Sequence, residues 1–343
     1  MFNIYDLSHE KLTAAMVAKE QKPYRATQLF IWLYEKLAKS FDEMSDISAK
    51  FREVLKGEYY FALPKIHTMQ KAQDGTIKLL LELSDGSKVE TALLRYNYGN
   101  ALCVSSQVGC NMGCSFCASG LLSKQRNLEV GEMVGQILIV NELLKAENQS
   151  VTHVVVMGTG EPFDNYENVM DFIRIANHPK AFAIGARRLT VSTCGIVPRI
   201  YDYANEGMQV NLAISLHAPN DELRSTLMRV NRAYPIAELL SAVKYYVETS
   251  GRRVTFEYIL LQGVNDSIAH ADELSDLIRG IEAYVNLIPY NPIDGKSYGR
   301  SGDVAIKAFQ NQLTKRGITS TIRKEFGSDI DAACGQLRAK ERR

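Results

Sequence analysis

The sequence predicts an α/β fold built on parallel strands, preceded by a small helical module. Three observations predict it. From residue 99 onward short apolar runs alternate with amphipathic stretches, before residue 70 apolar residues recur at helical spacing, and between them two β-rich runs flank Asp85-Gly86. Repeated strand-then-helix units imply parallel strands joined by right-handed crossovers, hence a barrel, a part-barrel or a doubly wound sheet. The expected division is a helical accessory module at 1–70, a β-hairpin linker at 71–98 and an α/β domain at 99–343.

In chain order, "SHEKLTAAMVAKE" and "ATQLFIWLYEKLAKSFDEM" read as helices, with Ser8 and Thr27 as candidate N-caps. "GTIKLLLELSDGSKVETALLRY" reads as a hairpin, because Asp-Gly favours the positive φ of a tight turn. The candidate strands that follow are "ALCVSS", "VTHVVVM", "RRLTVST", "QVNLAIS", "RVTFEYI", "YVNLIP" and "ITSTIR", with helical patterns such as "EVGEMVGQILIVNELLKAE" and "PIAELLSAVKYYVETS" between them. Ser192, Ser215, His217 and Asn291 fall at or just after C-terminal strand ends, where parallel α/β proteins build their sites.

Composition excludes several classes. At 343 residues the chain can bury a full core, and six cysteines over that length are too few to staple a small secreted fold. With no signal-peptide pattern and no apolar run of membrane length, the expectation is a cytoplasmic, soluble protein with no membrane partner. A net charge of +1 conceals basic clusters at Arg187-Arg188, Arg252-Arg253 and the tail "RAKERR", which suit either phosphate or solvent.

Three of the cysteines, Cys110, Cys114 and Cys117, lie within eight residues of the loop "SSQVGCNMGCSFCASG", just after the first strand of the α/β domain. The spacing C-x3-C-x2-C offers three soft thiolates, suited to zinc closed by a fourth ligand or to an iron–sulfur cluster held by three cysteines. No histidine lies in the loop to close a zinc site, and a cluster with three protein ligands leaves one iron open for chemistry. The polar Asn111, Gly113 and Ser115 argue against three thiols that merely fill the core.

This loop after a first barrel strand resembles the radical S-adenosylmethionine superfamily. "CVSSQVGC", "MGTGEPFDN", "AISLHAPN", "FEYILLQGVND", "NLIPYNP", "DIDAACGQLR" and the N-terminal "KPYRATQLFIWLY" narrow the resemblance to its RlmN-type adenine-C2 RNA methyltransferases. The resemblance implies a partial (β/α)6-type barrel, a [4Fe-4S] cluster, and two molecules of S-adenosylmethionine per turnover, one donating the methyl group and one yielding a 5′-deoxyadenosyl radical. It implies methylation of carbon 2 of an adenosine in the peptidyl-transferase region of 23S rRNA and of the adenosine 3′ of the anticodon in tRNA. It also implies an external one-electron reductase such as flavodoxin or ferredoxin, and a monomer.

Residue by residue, the resemblance gives Cys334 the role of methyl carrier, Cys103 that of the thiol that releases product through a transient disulfide, and Glu90 that of the base for the carbon-2 proton. Cofactor contacts carry over to Gly160, Glu161, Ser192, Ser215, Leu216, His217 and Asn291. From the residues alone, Cys103 reads equally as a small buried apolar side chain, Glu90 as an ordinary strand-end carboxylate and His217 as a structural histidine. Cys194 stands where many relatives carry Ser and is expected in the core, leaving Ser192 to face the ligand. Lys22, Arg25 and Lys36 among Tyr24, Phe30 and Trp32 suit a folded RNA, or a helix that packs its aromatics on the barrel. Two alternatives remain open: an rRNA adenine-C8 methyltransferase of the Cfr type, and a non-catalytic RNA-binding protein with structural zinc.

Overall fold

The computed structural model describes residues 1–121, 123–293, 295–327, 329–330 and 337. Cys334 and the tail "RAKERR" therefore lie outside the described residues.

The N-terminal module holds α1 (His9–Ala18), α2 (Tyr24–Phe30) and α3 (Ala49–Glu58). Ser8 caps α1 as expected, its hydroxyl accepting from the Lys11 N–H at 3.3 Å. Thr27 is not a cap. The helix opens three residues earlier, behind Pro23, whose fixed φ is pre-organised for a first turn, and Thr27 Oγ1 lies 3.0 Å from His9 Nε2 instead. Nor does α2 run on through the next ten residues. It ends in a wide turn at Ile31–Glu35, after which Leu37 adopts a left-handed conformation that terminates the helix.

One ten-stranded sheet follows. Its strands are β1 (Lys65–Lys71), β2 (Ile77–Glu82), β3 (Lys88–Tyr96), β4 (Gly99–Cys103), β5 (Val151–Val156), β6 (Leu189–Thr193), β7 (Asn211–Ser215), β8 (Val254–Leu260), β9 (Ala283–Pro289) and β10 (Ser320–Ile322), adjacent in space in the order of the chain. The first three pair antiparallel, as does β3 with β4, and every pair from β4 to β10 is parallel. Asp85-Gly86 turns β2 into β3 as expected, Gly86 having φ 79°. The strand β1 was not legible because its "KIHTMQK" sits at the sheet edge with side chains exposed or half-buried along its length, so no apolar face marks it.

The crossovers are α4 (Val130–Lys145), α5 (Tyr166–Asn177), α6 (Val197–Ala204), α7 (Asp221–Leu227) with α8 (Ile236–Ser250), α9 (Ile268–Leu277) and α10 (Asp303–Lys315). Among the described residues none is long and apolar enough to cross a membrane. A single apolar core runs from Ile4 in the module to Leu313 on α10, so module and barrel share one interior. Their contact needs Gly131 on α4. A Cβ there would stand 2.6 Å from Asn3 Nδ2 and 2.9 Å from Tyr5 Cβ, and the Gly131 N–H donates to Asp6 Oδ1 at 2.8 Å.

The upper ends of the central strands are fastened by one side chain. Arg224 on α7 is fully buried, and its guanidinium donates to Leu216 O (3.1 Å), Cys194 O (2.7 Å), Ser215 O (3.2 Å) and Asn231 Oδ1 (2.8 Å). These bonds tie together the loops leaving β6 and β7. Arg224→Leu is therefore expected to strand several buried acceptors and cost about 3–5 kcal/mol, seen as a lower urea midpoint of the apoprotein with an unchanged slope.

Candidate active site

The C-terminal ends of β5 to β9 surround a cavity of about 510 Å³. Cys110, Cys114 and Cys117 line it together with Gly160, Glu161, Ser192, Ser215, His217 and Asn291, so nine of the sequence-predicted residues meet in one space. Leu216 does not line it. Its side chain is fully buried in the main core, and its carbonyl accepts from Arg224.

The thiol loop is held from outside. The Ser115 N–H donates to Leu227 O at 2.9 Å, Ser115 Oγ lies 2.7 Å from Tyr298 OH, and the Lys124 N–H donates to Asn111 Oδ1 at 2.9 Å. All three thiols are half-buried. Burial, with mutual repulsion from Cys117, pushes the Cys110 thiol up to about 11, and burial pushes Cys114 up as well. A bound metal cluster would favour the thiolate forms. Among the described residues no three His, Cys, Asp or Glu side chains gather closely enough to hold a single metal ion. The three thiols line one mouth, and three soft sulfur donors from one loop fit an iron–sulfur cluster.

Glu161 and Gly160 owe much of their arrangement to the protein itself. Glu161 is buried, which raises its carboxyl; Oε1 accepts from the Phe163 N–H at 3.0 Å and Oε2 from the Cys194 N–H at 2.8 Å. Gly160, with φ 117°, was expected to let backbone approach a ligand. The close approach is to the thiol loop: a Cβ would lie 2.7 Å from Gln107 Cβ.

His217 is neutral. Burial, then the Arg224 charge, lower it to about 3, and its Nδ1 accepts from the Ile259 N–H at 3.0 Å, which leaves the proton on Nε2. Its ring stands edge-on to Phe116 at 4.9 Å. Cys194 is a buried core residue as expected, and it also faces the cavity. It lines the cavity as Ser192 does, and packs in a small apolar cluster with Phe116, because Gly195 at φ 109° turns the chain back over the mouth.

Cys103 and Glu90 meet beside this cavity. They line a hollow of about 40 Å³ with Lys78 and Ala92, and the hollow shares Leu94, Gly158 and Arg323 with the main cavity. Ala92 pairs with both Lys78 and Cys103, so the three occupy one row across β2, β3 and β4 on the inner face. Sequence reading missed Lys78, although a lysine within "TIKLLLEL" was a signal that one inward position is charged. It also missed Glu257, a buried carboxyl on β8 that lines the main cavity and accepts from Asn286 Nδ2 at 2.8 Å. It missed Arg224 for lack of any local signal.

Comparison with known proteins agrees with this arrangement. Residues 104–274 match the model of the radical SAM superfamily, and residues 2–60 match that of the ribosomal RNA large subunit methyltransferase N-terminal domain. The chain is 52% identical to the probable dual-specificity RNA methyltransferase RlmN of Geobacillus kaustophilus, over 99% of this chain and 93% of that one. It is also 52% identical to the protein of that name from Streptococcus pyogenes, over 98% and 96%. A crystal structure of a radical SAM methyltransferase from Sphaerobacter thermophilus superposes with a TM-score of 0.91 at 45% identity, covering 98% of this chain and 99% of that one. With two domain models, near-complete coverage and a thiol-lined barrel mouth in agreement, the chain belongs to the RlmN family of radical SAM RNA methyltransferases.

Proposed function

We propose that the chain methylates carbon 2 of adenosine, in the peptidyl-transferase region of 23S rRNA and 3′ of the anticodon in tRNA. The observation that carries this reading is the adjacency of Cys103 and Glu90 in a hollow that borders the thiol-lined cavity. Carbon 2 lies between two ring nitrogens and is too electron-poor to attack a methyl donor. When bound, the cluster and two molecules of S-adenosylmethionine supply the methyl group and the one-electron chemistry that such a carbon needs.

The chain's own groups do the rest. Cys334 carries the methyl group as a thioether and becomes joined to the base through it. Glu90 takes the carbon-2 proton. Cys103, as thiolate, then attacks the Cys334 sulfur: a sulfur–sulfur bond forms, the carbon–sulfur bond breaks with its electron pair going to the methylene carbon and purine ring, that carbon takes a proton from solvent to become the methyl group, and methylated RNA leaves. The disulfide is reduced before the next cycle. A flavodoxin- or ferredoxin-type reductase supplies electrons, and the enzyme works as a monomer in the cytoplasm.

A base stacked in RNA must be extruded to reach a barrel mouth. For the RNA face, Tyr24 is half exposed with the Arg25 guanidinium 5.1 Å from its ring centroid, and Lys36 Nζ lies 3.5 Å over Trp32. Phe30 belongs to the core. The module thus buries Phe30 and packs Trp32 partly on the core, while Tyr24 stands exposed beside Arg25, a pairing that supports an RNA face.

Two variants test the reading. Cys110→Ala is expected to drop bound iron from about four per chain to near zero after anaerobic reconstitution, with loss of all methylation. Cys103→Ala is expected to keep iron, methylate Cys334 and stop as a covalent protein–RNA adduct visible on denaturing gels. Free methylated RNA from Cys103→Ala at the parent rate contradicts the releasing role.

A further inference from the structure

Lys78 and Glu90 form an ion pair inside the protein, Lys78 Nζ lying 2.7 Å from Glu90 Oε2 with both side chains 3% exposed. The register explains how they meet. Lys78 pairs with Ala92, and Glu90 sits two residues before Ala92 on β3, paired with Leu80, so Lys78 reaches diagonally past one small side chain. The same Ala92 pairs with Cys103 on β4. The upper end of β3 is fixed as well: Ser105 Oγ donates to Glu90 O at 2.6 Å and accepts from the Thr159 N–H at 2.9 Å. The groups facing the pair are Cys103 from β4 and Arg323 from just beyond β10.

We propose that Lys78 is the positioning residue of the proton-removing step: its ammonium, 2.7 Å from Glu90 Oε2, fixes the carboxyl group in the hollow that it shares with Cys103. The inference rests on Glu90 being the base in the function proposed above. A carboxyl can take a proton only if it has already lost its own, and burial in an apolar sheet favours the neutral acid unless a cation pays the difference. A fixed cation on the far side also keeps the carboxylate from swinging back to bond the backbone. In the step itself the carbon-2–hydrogen bond breaks, the proton goes to a Glu90 oxygen and the electron pair returns to the purine ring. Lys78 donates no proton and touches no substrate.

The test uses the full chain with cluster reconstituted, S-adenosylmethionine, reductant and unmodified RNA. Lys78→Met is expected to retain iron and Cys334 methylation yet to accumulate the protein–RNA adduct, releasing RNA about 10- to 100-fold more slowly at pH 7, part of the contribution a general base makes. Lys78→Arg is expected to restore release, which a merely structural role for the lysine stem would not require. Should Lys78→Met not fold, Lys78→Gln keeps a donor for Glu90 without the charge and should show the same adduct. Parent-like release in both neutral variants overturns the inference. Glu90→Gln separates the two claims. If it too releases RNA normally, the base assignment fails; if it traps adduct at every pH while the Lys78 variants do not, only the role of Lys78 fails.

Discussion

Every charge placed inside this barrel has to be answered by another group, and that constraint organises the molecule. An apolar interior disfavours ionised side chains by far more than a single contact returns. Arg224 is tolerated because four acceptors surround it, and in meeting that need it ties together the loops that leave β6 and β7. Glu161 is held by two backbone N–H groups, and Glu90 by a lysine. His217 solves the problem by staying neutral. The thiols of the mouth meet the same constraint: burial raises Cys110 and Cys114, and a bound cationic cluster would favour their thiolates.

The topology decides which of these groups share a space. Parallel strands from β4 to β10 all end on one side, so residues from six loops converge on one cavity. The antiparallel extension β1 to β3 does something a bare barrel does not. It lays a wall beside the first parallel strand and brings Lys78 and Glu90 level with Cys103 at that strand's end. The N-terminal module is bonded to α4 through Gly131 and shares the main core, so an RNA held by the module is held in fixed relation to the mouth.

What the sequence revealed follows from what local patterns encode. The alternation of apolar runs and amphipathic stretches yielded the parallel strands, and C-x3-C-x2-C located the mouth, because both are written within a few neighbouring residues. Helix boundaries in the module were less legible: Pro23 outweighed Thr27 as a start signal, and a left-handed Leu37 ended what periodicity alone continued. The edge strand β1 has no buried face to leave a pattern. At strand ends one residue of register exchanges core for cavity, so the side chain of Leu216 lies in the core while Cys194 is both core and cavity wall. The partners of Arg224 lie up to thirty residues away in sequence, a distance no motif spans.

The central claim is the position of the new methyl group, and nucleoside mass spectrometry tests it most directly. RNA lacking the modification, incubated anaerobically with reconstituted protein, reductant and S-adenosylmethionine, is predicted to yield 2-methyladenosine. Recovery of 8-methyladenosine, or of no methyladenosine from protein loaded with its cluster, contradicts the account.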